Sequence, residues 1–122
     1  IVSKLILAVE DSRTMRDMIK AALPREGFDV KLADDGQHGL EVLNGITPAA
    51  IITDINMPRL DGFGFIDGVR KQQRYRTIPI LVLTTESADT LKQKARAAGA
   101  TGWIVTPFHQ EKLASVLRRL VA

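Results

Sequence analysis

The run Leu5-Ile-Leu-Ala-Val9 is apolar at every position and stops abruptly at Glu10-Asp11-Ser12. Its length suits a strand, and its lack of in/out alternation suits one covered on both faces, as in a parallel sheet. Ala50-Ile-Ile-Thr53 and Ile80-Leu-Val-Leu83 repeat the pattern, while Val30-Lys-Leu-Ala33 and Gly102-Trp-Ile-Val105 are weaker runs that fit shorter or edge strands. Helical periodicity fills the intervals. Met15, Met18, Ile19, Ala22 and Leu23 share one helical face behind Ser12 as cap. Leu40 and Leu43 mark a second helix, and Phe63, Ile66 and Val69 a third. Leu91, Ala95 and Ala98 mark a fourth, closed by Gly99, and Leu113, Val116, Leu117 and Leu120 form the last stripe. Strand and helix therefore alternate five times. The expected fold is α/β, a doubly wound five-stranded parallel sheet with five helices over its two faces.

Length and composition agree with that architecture. The chain has 122 residues, 45% of them hydrophobic, which supplies one core and excludes intrinsic disorder. A single domain over residues 1–122 is expected. Without cysteine there is no disulfide framework, thiol nucleophile or thiolate metal site. Seventeen Lys plus Arg against 14 Asp plus Glu leave a charge of +3, too mild to indicate nucleic acid. No apolar run approaches the ~18 residues of a membrane span. The start, Ile-Val-Ser-Lys, lacks the regions of a signal peptide, and its missing initiator Met leaves the natural start open. A soluble, cytoplasmic domain is the expectation. Pro24 is expected to end the first helix early, and Gly64 and Gly68 to weaken the third by roughly 1 kcal/mol each.

In open α/β sheets the ligand crevice lies at the carboxyl ends of the strands. Glu10-Asp11 follow the first strand, Asp54 the third, Thr84-Thr85 the fourth and Thr106-Pro107 the fifth. Three carboxylates and several hydroxyls thus converge on one rim. Carboxylates brought within a few ångströms repel, which raises a pKa or demands a cation. An all-oxygen donor set without His or Cys suits Mg²⁺. Loop acids after strands are common singly; three at one sheet edge favour a shared site over that reading.

Val9-Glu-Asp-Ser12, Asp54-Ile-Asn-Met-Pro-Arg-Leu-Asp-Gly62, Leu83-Thr-Thr-Glu-Ser87 and Trp103-Ile-Val-Thr-Pro-Phe108 resemble, in order and spacing, the landmarks of the response-regulator receiver domain. The resemblance spans essentially the whole chain and is strongest to single-domain chemotaxis regulators of the CheY type. It implies the flavodoxin-like strand order 2-1-3-4-5. It further implies that Asp54 accepts a phosphoryl group from a phosphohistidine on a histidine kinase of chemotaxis type. Asp11 and Asp54 would bind Mg²⁺ directly, Asn56 through its backbone carbonyl and Glu10 through a water. Thr84 would donate its hydroxyl to a phosphoryl oxygen, and Pro58 and Gly62 would shape the loop. Asn56 and Glu86 would flank the attacking water of hydrolysis and shorten the phosphorylated state. Trp103 would swing inward as Thr84 moves, and the fourth helix, fifth strand and fifth helix would present the result to a target such as a flagellar motor switch protein. On this reading the protein catalyses only its own phosphorylation and dephosphorylation.

Two substitutions depart from the family pattern. Glu10 replaces the commoner Asp, and a bridging water can absorb the extra methylene. At Thr106 the family has Lys, whose ammonium reaches the acceptor carboxylate and the phosphoryl oxygens. Losing a charge-assisted hydrogen bond costs about 1.5–3 kcal/mol, roughly ten- to a hundredfold in phosphoryl stabilisation. Phosphorylation supported by Mg²⁺ with weakened coupling to output is one expectation; an engineered Lys→Thr change is another. Thr85 stands where the family commonly has Ala or Gly and is expected to slow access to Asp54. The Thr106–Pro107 bond is expected to be cis by resemblance.

Other features have plainer readings. Arg70-Lys-Gln-Gln-Arg-Tyr-Arg76 reads as the solvated end of a helix rather than a nucleic-acid patch. His38 and His109 lie on polar stretches and neither is a relay histidine. Two other functions compete with the receiver: a binding module independent of phosphorylation, motivated by Thr106, and an aspartyl phosphohydrolase. The latter wants a second carboxylate two residues after the nucleophile, where Asn56 stands. With nothing after the last helix, transcriptional output is not expected.

Overall fold

A computed structural model describes residues 3–122; the question of the initiator Met concerns residue 1 and lies outside them. The elements are β1 (Lys4–Val9), α1 (Arg13–Arg25), β2 (Phe28–Ala33), α2 (Gly36–Leu43), β3 (Ala50–Thr53), α3 (Gly62–Arg70), a 3₁₀ turn (Gln73–Tyr75), β4 (Ile80–Thr84), α4 (Asp89–Ala98), β5 (Gly102–Val105) and α5 (Gln110–Val121). All strand pairs are parallel, in the order β2-β1-β3-β4-β5. The continuous apolar runs of β1, β3 and β4 occupy the three interior strands, and the weaker runs are the two edges. Apolar side chains cover both faces. Leu7, Val9, Ile51, Phe65, Ile66, Val69 and Val82 pack on one, and Ile6, Ala8, Ile19, Leu23, Ile52, Leu113 and Leu117 on the other.

Helix ends follow the local chemistry. Ser12 caps α1 by accepting from the Met15 amide. Asp35 and Asp61 cap α2 and α3 by accepting from the His38 and Gly64 amides. Gly99 closes α4 in the left-handed region at φ +118°. Pro24 is the penultimate residue of α1, and the amides of Glu26 and Gly27 donate to Leu23 O and Pro24 O just past its end. α1 and α5 are tied where Glu26 accepts from Gln110 at 2.8 Å and Arg118 at 2.9 Å.

Two readings are refined and one is corrected. Met18 is 42% exposed, because the buried stripe of α1 is narrower than its apolar residues. In α3 Phe65 is fully buried while Phe63 is half-buried under the Lys94 ammonium, 4.3 Å from its ring. The basic run that begins with the last residue of α3 is not merely solvated. Arg70 reaches across to α4 and donates to the Gly99 carbonyl from Nε and Nη2, at 3.1 and 2.7 Å. Tyr75 is buried, with its hydroxyl 2.7 Å from Leu43 O and 2.9 Å from Ile46 O. Gly68, by contrast, has a packing reason: a Cβ there would lie 2.9 Å from Leu40 Cδ1. The missing side chain that weakens α3 is what allows α2 and α3 to approach.

Candidate functional site

β1 and β3 lie side by side with Val9 opposite Thr53, so the residues that follow them emerge together. Oxygens of Glu10, Asp11 and Asp54 all lie within 4.8 Å of one another. Each is differently held. Glu10 is buried, its amide on Ala33 O and its carboxylate accepting from the Ser12 amide at 2.9 Å. Asp11 is exposed. Asp54 is half-buried, its amide on Val9 O at 3.1 Å and its Oδ1 accepting from the Ile55 amide at 2.6 Å. The loop returns tightly beneath it, with Gly62 N on Ile55 O at 2.8 Å. A Cβ on Gly62 would run into the Asp54 carbonyl, so only glycine fits.

Electrostatics reflect the crowding. Burial, then the charges of Asp54 and Asp11, push Glu10 up to about 8, against the opposing Ser12 hydrogen bond. Among the described residues, none of the ion pairs involves Glu10, Asp11 or Asp54. Hard oxygen donors, excess negative charge and no pairing cation fit a divalent ion such as Mg²⁺.

The other expected residues lie on β4 and β5 or in the loops that follow β3, β4 and β5. Thr84 ends β4, is buried, and accepts from the Glu86 amide at 3.4 Å. Thr106 is half-buried and donates its amide to Thr84 O at 2.8 Å, joining the ends of β4 and β5. Its bond to Pro107 is cis. Asn56 is exposed and donates from Nδ2 to Glu86 Oε2 at 2.8 Å, bridging the loops after β3 and β4. Trp103 is half-buried and donates from Nε1 to Glu86 O at 3.0 Å. Thr85 is exposed. His38 pairs locally with Asp34 at 3.0 Å, and His109 precedes α5 without a side-chain cap.

Two arginines near the site escaped the sequence reading. Arg16 donates from Nη1 to the carbonyls of both Glu10 and Asp11 at 2.9 Å. Arg59, at φ +64°, makes a two-pronged contact to Asp35, 2.7 and 3.0 Å, bracing the loop that follows Asp54. Arg16's place one turn into α1 was the available signal; Asp35 and Arg59 are 24 positions apart and gave none.

The model of the response regulator receiver domain matches residues 6–118. The chain belongs to the response regulator receiver family. The chemotaxis protein CheY1 of Helicobacter pylori is 38% identical over 120 residues, covering 92% of this chain and 95% of that protein. The sensor histidine kinase CheAY of the same organism is 34% identical over 119 residues, 96% of this chain but only 15% of the kinase. Among solved structures, Vibrio cholerae CheY4 at low pH superposes with a TM-score of 0.93 at 41% identity, covering 98% of this chain and 99% of that one. The receiver domain of the Pseudomonas aeruginosa sensor histidine kinase PA1611, with a magnesium ion coordinated in its active-site cleft, has a TM-score of 0.91 at 28% identity, covering 98% of each chain. The flavodoxin-like fold of receivers is therefore the fold of this chain, with the strand order that the resemblance implied.

Proposed function

We propose that this receiver, over residues 1–122, takes a phosphoryl group on Asp54 from the phosphohistidine of a histidine kinase, in a cytoplasmic two-component pathway serving chemotaxis. The observation that carries the reading is the meeting of three carboxylates at the ends of β1 and β3. Asp11 and Asp54 would hold Mg²⁺ through their carboxylates, Asn56 through its backbone carbonyl and Glu10 through a water. When bound, Mg²⁺ neutralises charge on the phosphoryl oxygens and orients the group.

The Ile55 amide holds Oδ1 of Asp54, which leaves Oδ2 to attack phosphorus. The P–O bond to Asp54 forms as the P–N bond to the donor histidine breaks, and the imidazole nitrogen keeps the electron pair. Thr84 donates its hydroxyl to a phosphoryl oxygen. The product is a mixed anhydride, and water releases phosphate and restores the carboxylate. Asn56 and Glu86, hydrogen-bonded to each other at 2.8 Å, would flank that water. Output passes through α4, β5 and α5, where Val105 is 40% exposed beside Trp103, to a protein target such as a flagellar motor switch protein. No separate substrate is turned over.

Thr106 favours a second reading, a binding module that works without phosphorylation, because the hydroxyl supplies no charge to the phosphoryl oxygens. Incubation with Mg²⁺ and acetyl phosphate separates the two. A mass gain of one phosphoryl group that disappears in D54N supports the receiver reading; no gain supports the binding module.

A further inference from the structure

We propose that Arg16 is a positioning residue for the acidic pocket, holding the backbone on both sides of Asp11 so that its carboxylate faces the cation. The inference rests on reading that pocket as a Mg²⁺ site. Arg16 is half-buried in the first turn of α1, with its amide on Ser12 O at 2.9 Å. One nitrogen, Nη1, donates to Glu10 O and to Asp11 O at 2.9 Å each. Those carbonyls belong to the two peptide planes that flank the Asp11 α-carbon. Because peptide planes are rigid, fixing both fixes the two soft dihedrals of Asp11 and therefore the direction of its side chain.

Asp11 needs this support more than its neighbours do. Glu10 is buried and held at its carboxylate by Ser12, and the Asp54 carboxylate is held by the Ile55 amide. Asp11 is exposed, so packing does not orient it. The acceptors that Arg16 uses are also informative. A guanidinium paired with Asp11 or Glu10 through their carboxylates would compete with a metal. Here it takes the neutral carbonyls and leaves the acidic oxygens free.

Charge and geometry predict opposite signs. If Arg16 acted only as a like charge near the cation, removing it would tighten Mg²⁺ binding. A positioning role predicts weaker binding, about tenfold or more, as for residues that orient metal ligands in general. Titration calorimetry of the full chain with MgCl₂ is expected to give that loss for R16A, and for R16Q, which keeps part of the aliphatic stem. Y75F, which removes a distant buried hydroxyl, is expected to lower the melting temperature and leave Mg²⁺ affinity at the parent value. In metal-free protein the amides of Asp11 and Ser12 are expected to exchange faster in R16A than in the parent. Unchanged or tighter Mg²⁺ binding by folded R16A and R16Q overturns the inference and leaves the pocket reading intact. A parent chain that takes up no Mg²⁺ overturns both.

Discussion

Thr106 is half-buried at the end of β5, its amide bonded to the carbonyl of Thr84, so it stands on the rim that a family lysine would occupy. A lysine side chain there would add the charge that the cluster of Glu10, Asp11 and Asp54 lacks. T106K is expected to raise the rate of Asp54 phosphorylation by acetyl phosphate roughly ten- to a hundredfold, the equivalent of one charge-assisted hydrogen bond. The rate is read by mass spectrometry across a time course; an unchanged rate, with target affinity also unchanged, removes Thr106 as the weak point. The acidic residues themselves were legible because each directly follows an apolar run, and strand ends in this architecture share one rim. The contact between Asn56 and Glu86 was accessible only through resemblance, since 30 positions separate them. Nothing in composition or periodicity pairs such residues.

At the scale of elements, α2 and the loop after β3 are joined at Asp35. It caps α2, accepting from the His38 amide at 2.8 Å, and receives both prongs of Arg59. The Arg59 guanidinium first, and the His38 amide next, hold the Asp35 carboxyl below its usual range, against desolvation. A carboxyl with a depressed folded-state pKa stabilises the fold fully above its unfolded pKa and loses that contribution as pH falls through the folded value. Parent and D35N are therefore expected to differ in melting temperature at neutral pH and to converge under acid; a gap that stays constant with pH contradicts the pairing. D35A is expected to cost about 0.5–2 kcal/mol from the cap alone in urea unfolding. Tyr75 performs a similar joining task, its buried hydroxyl meeting Leu43 O at the end of α2 and Ile46 O in the loop beyond. Y75F is expected to cost about 0.5–1.5 kcal/mol, the net loss of a hydrogen bond, because Leu43 O keeps the Ile46 amide as a partner. These ties explain why element positions could be read from the chain while their junctions could not. Periodicity placed α3 and its glycines, yet Phe65 rather than Phe63 fills the core, because two neighbouring aromatics differ only in which way the folded helix turns. Arg70 looked like a surface charge for the same kind of reason: its partner, Gly99, arrives from another helix.

Over the whole molecule, two apolar layers clamp five parallel strands, and the sheet's carboxyl edge is left to polar chemistry. The stability of the layers tolerates the mutual repulsion of Glu10, Asp11 and Asp54, and a ligand that relieves it must stabilise the fold. At a hundred times its dissociation constant, Mg²⁺ is expected to add about 2.7 kcal/mol to unfolding, and D54N to reduce that gain; a chelator should reverse it. Urea unfolding with and without the ion provides the check, and equal midpoints would count against a bound ion. The central claim is that Asp11 and Asp54 share one divalent ion beside a reactive carboxylate. Crystals grown with Mn²⁺ and beryllium fluoride, measured at the manganese absorption edge, test it most directly. The account predicts one anomalous peak touching Asp11, Asp54 and the Asn56 carbonyl, with the fluoride group on Asp54. A map with no peak there, or with Asp11 and Asp54 turned away from each other, would contradict it.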